Sequence, residues 1–172
     1  IVATDATGAE PSGDDGLITI SRTGSTASAL LVPFRTAGTA TRGADYVTQT
    51  NGVTFTANSV RIPAGSSSVD IAIKVQNDGI GEPTEQAIIV LAGNPTAYDI
   101  GPSLSATVEI TDDGDLPIAA VTAFRRAAYE GNTNSYGQFR VEFSNPYALG
   151  DVTVNYTLSG TAGNGTHYEL LT

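Results

Sequence analysis

The sequence predicts an all-β protein: a seven-stranded antiparallel immunoglobulin-like β-sandwich, followed by the first strands of a second, incomplete sandwich. Three observations predict this. Apolar and polar residues alternate over short runs such as LITISR (17–22) and VDIAIKV (69–75), the period of a strand with one buried face. Gly, Ser, Thr, Asn and Pro break the chain about every ten residues. No stretch carries apolar residues at helical spacing.

The strands are predicted in order. The first runs over Ile1 to Thr4, ahead of the loop around Gly8, and the second over Leu17 to Arg22. The third is Ala29 to Thr36, and the fourth lies within Val53 to Ile62 with a bend at Ala57-Asn58. The fifth is Val69 to Val75, the sixth Gln86 to Ala92 and the seventh Leu104 to Thr111. Seven short strands within a single apolar pattern suit two packed sheets. Leu116-Pro117 then restarts the pattern, with strands predicted at Ile118 to Phe124, Gln138 to Phe143 and Val152 to Leu158. The domain assignment is therefore 1–115 for the complete sandwich and 116–172 for the first part of another.

An internal repeat supports that division. VPFRTAGTATRGADY (32–46) lines up with VNYTLSGTAGNGTHY (154–168) at an offset of 122 residues. Gly38-Thr39-Ala40, Gly43 and Tyr46 recur as Gly160-Thr161-Ala162, Gly165 and Tyr168. Three strands cannot close a sandwich without open edges, so the shorter unit is expected to come from truncation or proteolysis first, with completion by another chain or partial disorder as the alternatives. With no leader segment and no initiator Met, the chain is expected to be an excised piece of something larger.

The formal net charge is −10, from 18 acidic and 8 basic residues. That balance argues against nucleic acid as a partner, since binding it requires Lys and Arg to neutralise phosphates. No apolar run approaches the ~20 residues of a membrane span, so direct membrane insertion is not expected. The absence of Cys removes disulfides, thiolate metal sites and Cys nucleophiles.

The acids are unevenly placed. In an up-and-down succession of strands, the loops after the first, third and fifth strands share one end, and the seventh strand finishes there. Glu10, Asp14 and Asp15 fall in the first of these loops, Asp45 in the second, and Asp78, Glu82 and Glu85 in the third. Asp112, Asp113 and Asp115 follow the last strand. Ten of the 18 acids thus meet at one end, whereas the opposite loops hold Asp99 and little else. Charge kept only for solubility would be more evenly spread. Converging carboxylates repel one another unless a cation neutralises them. Calcium suits an all-oxygen donor set on flexible loops. Magnesium usually keeps several waters, and zinc prefers His or Cys, of which only His167 is present.

An enzyme is not expected. Glu82 and Glu85 could form the carboxylate pair of a glycoside hydrolase, but that chemistry needs an aromatic-lined sugar cleft and the chain has no Trp. A nucleophilic Ser needs a base, and residues 1–115 contain no His. Gly38 to Gly43 lacks the Lys of a phosphate loop and reads as a turn. His167 reads as an exposed loop residue.

On these residues the chain resembles the Calx-beta domain family of sodium/calcium exchangers, the integrin β4 subunit and many bacterial surface proteins. The resemblance rests on Arg22-Thr23-Gly24, Gly38-Thr39-Ala40, Gly43-Ala44-Asp45-Tyr46, Asn77-Asp78 with Glu82 and Glu85, and Ile110-Thr111-Asp112-Asp113. It covers the whole of the first unit and the first half of a second. It implies a calcium site whose metal ligands are Glu10, Asp45, Asn77, Asp78, Glu82, Glu85, Asp112 and Asp113. Asn77-Asp78-Gly79 and Asp112-Asp113-Gly114 carry fewer charges than the unbroken Asp runs frequent in the family, which implies fewer ions or weaker binding. In the second unit Glu130 matches Glu10 but His167 replaces Asp45, so no complete site is expected there.

The function expected is a calcium-binding structural or adhesion module of an extracellular or cell-surface protein. Its partners would be calcium ions, neighbouring Calx-beta or other repeat domains, and protein or glycan ligands. Calcium would stiffen the junction between domains, with affinity on the order of 10⁻⁴ M or somewhat tighter. The alternatives are a calcium-sensing regulatory domain of the exchanger kind, and a metal-free adhesion or carbohydrate-binding module.

Overall fold

In residues 1–115 the alternation resolves into two sheets with their apolar faces turned toward each other. The computed structural model describes residues 1–10, 13–52, 55–56, 58–131, 134–147 and 149–169. It divides the chain into two units, Ile1–Asp115 and Leu116–Thr172. The strands of the first unit are β1 (Val2–Asp5), β2 (Thr7–Ala9), β3 (Gly16–Ser21), β4 (Leu30–Ala37), β5 (Tyr46–Gln49), β6 (Phe55–Thr56), β7 (Ser59–Ile62), β8 (Ser68–Val75), β9 (Glu85–Leu91) and β10 (Ser105–Thr111). One sheet has the order β1-β3-β8-β5 and the other β2-β10-β9-β4-β7-β6. All pairings are antiparallel except that of β2 with β10, which is parallel.

Alternate residues of each strand fill the space between the sheets. Ile18 and Ile20 of β3 and Val69, Ile71 and Ile73 of β8 come from one sheet. Val32 and Phe34 of β4, Ala87 and Ile89 of β9, and Val108 and Ile110 of β10 come from the other. Each fully buried aliphatic side chain of this size contributes roughly 1.5–3 kcal/mol through removal from water. Gly16 marks a close approach of the sheets: a Cβ there would lie 2.3 Å from Val108 Cγ1.

Two of these strand assignments need correction. The first predicted strand corresponds to β1, which pairs with β3, but the loop expected around Gly8 holds β2, which crosses to the other sheet and pairs with β10. The range of the fourth predicted strand holds two strands, β6 and β7. Ser59–Ile62 pairs with β4, and the strand beside β8 is the four-residue β5, which the sequence did not reveal. Val53 and the bend residue Ala57 lie outside the described residues. Three strands, β5, β6 and β7, thus stand in place of one. Because that number is odd, the ends at which the later loops emerge are unchanged.

The second unit contains a two-stranded antiparallel pair, β11 (Ala119–Arg125) and β12 (Gln138–Phe143), registered from Ala119 opposite Phe143 to Arg125 opposite Gln138. The Arg140 guanidinium lies 4.1 Å from the centre of the Phe124 ring, and that of Arg125 lies 4.5 Å from that of Tyr136. The strand predicted over Val152 to Leu158 does not form. A strand is defined by its ladder, and no described residue of this unit pairs with that segment as β7 and β9 pair with β4. The turn after it does repeat. The Gly165 N–H donates to Tyr168 O and the Thr166 N–H to Gly163 O, as those of Gly43 and Ala44 donate to Tyr46 O and Thr41 O.

Candidate metal centre

Strand register brings the acidic loops of the first unit together. The parallel β2–β10 ladder places Ala9 beside Thr111, and the Glu10 N–H extends it by donating to Thr111 O at 3.0 Å. Glu10 therefore enters its loop beside Asp112. The β5–β8 ladder pairs Tyr46 with Val75, so Asp45 stands next to the start of the following loop, where its carbonyl accepts the Gln76 N–H at 2.9 Å. That loop carries Asn77, Asp78 and Glu82, and Glu85 opens β9.

Two groups of carboxylates result. Glu10, Asp112 and Asp113 form one, and Asp45, Asp78 and Glu82 the other, each with ligand oxygens within 4.8 Å of one another. Ligands of one calcium ion, at about 2.3–2.6 Å from it, are at most about 5 Å apart. Glu10 and Asp45 are the buried charged residues among the described residues, 9% and 6% exposed. The Asp45 carboxylate is fixed in place by the Thr41 N–H, which donates to Oδ2. Small local turns orient the remaining acids, as the Ile80 N–H donates to Asp78 Oδ1 at 2.9 Å and the Gly114 N–H to Asp112 Oδ1 at 2.6 Å.

The electrostatics show one connected cluster. Burial pushes the Glu10 carboxyl up to about 7, and the charges of Asp112, Asp78 and Asp113 add to this, opposed by the Asp78 N–H that donates to it. Burial also pushes Glu85 up to about 7, helped by a hydrogen bond shared with Asp45 and by the charges of Asp45, Glu82 and Asp78. Glu82 is raised by burial and then by Asp45, Asp78 and Asp112. These directions are those of acids brought together without a counter-charge.

A divalent oxygen-binding cation fits this donor set. Oε2 of Glu10 and Oδ2 of Asp112 are buried and accept no hydrogen bond. A buried acceptor with no donor costs roughly 1–3 kcal/mol, and more when it is charged. A cation beside both would remove that cost. The ligand atoms here are carboxylate oxygens, which favour calcium over zinc.

Other acids of this end behave differently. Asp15 is not in either group: Lys74 pairs with its Oδ2, and the Val75 N–H donates to its Oδ1 at 3.0 Å. Asn77 turns its amide nitrogen to Asp113 Oδ2 at 3.5 Å, while its oxygen accepts the Gly79 N–H at 3.2 Å. It contributes a donor to the cluster and its oxygen is engaged elsewhere. Asp115, which the ligand set omitted, is raised by desolvation and by Asp113, Asp112 and Asp78. Its signal in the sequence was its place two residues beyond Asp112-Asp113. In the second unit, His167 Nδ1 accepts the Gly163 N–H at 2.8 Å, the role that Asp45 Oδ2 plays for Thr41.

Comparison with known proteins agrees with this architecture. Among solved structures, the calcium binding domain CBD12 of CALX1.1 superposes with a TM-score of 0.50 at 24% identity, over 65% of this chain and 44% of that one. That likeness is one of fold, and the chain spans less than half of that protein's length. The apo-form Calx CBD1 domain is 25% identical over 63% of this chain and 90% of its own, with a TM-score of 0.49. No curated protein matches. The Calx-beta domain pattern matches residues 3–114 and 119–172. That pattern covers nearly all residues, and the chain belongs to the Calx-beta domain family.

Proposed function

We propose that the first unit is a calcium-binding module of an extracellular protein. The observation that carries this is the pair of buried, donorless oxygens on Glu10 and Asp112 within a cluster of acids from four separate segments. Glu10, Asp112 and Asp113 would hold one ion, and Asp45, Asp78 and Glu82 a second, with Glu85 beside Asp45. Asn77 and Asp115 would act at the rim. The bound ions supply fixed positive charge, and the chain's part is to keep the carboxylates converged and partly out of water.

The role proposed is structural. Asp112, Asp113 and Asp115 directly follow β10, so binding there would restrict the backbone leading to residue 116. The family match over residues 119–172 supports a further Calx-beta domain as the neighbour. Titration calorimetry with calcium, paired with thermal melting, tests the proposal. Heat and a raised melting temperature are expected, both reduced in Glu10→Gln/Asp112→Asn. A chelator-treated parent protein that gives neither signal at millimolar calcium overturns it.

A further inference from the structure

The Gly38-Thr39-Ala40 motif has no acid, yet it sits at the metal centre. β4 pairs with β9 as far as Ala37 opposite Ile88. A straight continuation would carry Gly38 and Thr39 past Ala87 and Gln86. Instead the chain turns at Gly38, whose φ is 110°, a conformation that favours glycine. A Cβ at Gly38 would also lie 1.9 Å from Gln86 O. The ladder is then replaced by two other bonds. The Gln86 N–H donates to Thr39 Oγ1 at 2.9 Å, and the Ala40 N–H donates to Gln86 O at 3.1 Å.

These bonds tie the loop after β4 to the start of β9, beside the second acidic group. Glu85 immediately precedes Gln86 and opens β9. Asp45 is held in turn by Thr41, two residues beyond Thr39. We propose that Thr39 is a positioning residue of the metal centre: its hydroxyl fixes the Gln86 amide and so sets the position of Glu85, the preceding residue, beside the loop that carries Asp45. The inference rests on the proposal that these acids bind calcium. It also gives the recurring Gly-Thr-Ala a purpose that the residue types alone do not suggest.

Thr39→Val removes the acceptor and keeps the shape, while Thr39→Ser keeps the hydroxyl. Loss of such a supporting partner weakens metal affinity by roughly tenfold or more. We expect that loss in calcium titrations of Thr39→Val and recovery in Thr39→Ser. In a Glu85→Gln background, Thr39→Val should weaken binding little further. A Thr39→Val protein that melts lower but binds calcium as the parent does overturns the inference. So does an equal loss in the Glu85→Gln background. Hydrogen exchange of the calcium-free protein separates this failure from failure of the functional proposal. Thr39→Val should speed exchange at the Gln86 and Thr41 amides and leave Ile18 unchanged. Unchanged exchange at Gln86 and Thr41 refutes the positioning role even if calcium does not bind.

Discussion

Glu10 and Asp112 stand one residue beyond the ends of neighbouring strands, with an oxygen of each within 4.8 Å of the other, and each keeps one buried oxygen that no donor reaches. Backbone pairing enforces this approach, since the β2–β10 ladder leads both residues out at the same point. The fold thus holds together two groups that repel when both are ionised. Folding energy from the core opposes that repulsion, which makes the acidic end a place where pH, calcium and single charges should all register as stability.

The metal-free protein should lose stability as pH rises from about 4.5 to about 7. Glu10 and Glu85 titrate near 4.5 in the unfolded chain and near 7 when folded. Between these values the folded state retains protons that the unfolded state has released, so raising the pH favours unfolding. Solvent reaching both groups screens the effect, so the loss should be on the order of 2 to 4 kcal/mol in total, less than the unscreened shifts give. Denaturant melts across this range check it, and Glu10→Gln should flatten the slope.

Asp78→Asn should move calcium-free and calcium-loaded stability in opposite directions. The Asp78 charge raises Glu10, Glu82, Glu85 and Asp115, so removing it relieves repulsion in the absence of metal. Asn retains an oxygen for the Ile80 N–H. The calcium-free melting temperature should therefore rise. The gain from added calcium, about 2.7 kcal/mol at a hundredfold excess over Kd, should shrink. Melting with chelator and with 10 mM calcium, about a hundredfold over the expected Kd, reads both effects.

Arg22→Ala should cost stability without touching calcium affinity. At the end of the sandwich opposite the acids, the Arg22 guanidinium donates to the carbonyls of Ser66, Ser28, Thr26 and Pro63 at 2.7–3.3 Å. Hydrogen bonds from a charged donor are worth roughly 1.5–3 kcal/mol, and a loss of about 2 kcal/mol is expected. Arg22→Lys should not restore it, because an ammonium cannot span the planar fork. Equilibrium unfolding combined with calorimetry checks both halves.

Gly16→Ala should destabilise by about 1–3 kcal/mol, the usual cost of forcing a group into a packed interior. The new Cβ would lie 2.3 Å from Val108 Cγ1 across the two sheets. Pairing it with Val108→Ala should recover part of the loss in the same unfolding assay.

The end at which the acids gather was legible in the sequence because it depends on the parity of strands, not on their number. Replacing one predicted strand by β5, β6 and β7 leaves Asp78, Glu82, Glu85, Asp112 and Asp113 where the parity argument puts them. β5 was hidden because it is four residues long and follows the Gly43-to-Asp45 turn directly, so Tyr46 reads as part of the loop. Asp15 looked equivalent to Glu10. Only the fold reveals that Lys74, 59 residues away, neutralises it. Val152 to Leu158 has the alternation of a strand, but alternation specifies a face and cannot supply the neighbour that makes a ladder. The part played by Thr39 was likewise invisible, since its partner is a backbone amide that any residue at 86 except Pro would present.

The parallel seam between β2 and β10 also determines how the first unit bears tension. β2 begins and β10 ends at opposite ends of their shared ladder, so pulling on the flanking chain drags one strand lengthwise along the other. The backbone bonds from the Glu109 N–H to Ala6 O and from the Glu10 N–H to Thr111 O are then loaded at the same moment, not opened one after another. Glu10 and Asp112 stand just past the last of these bonds. An ion gripped by both would rivet the seam at its mouth and make resistance to stretching depend on calcium.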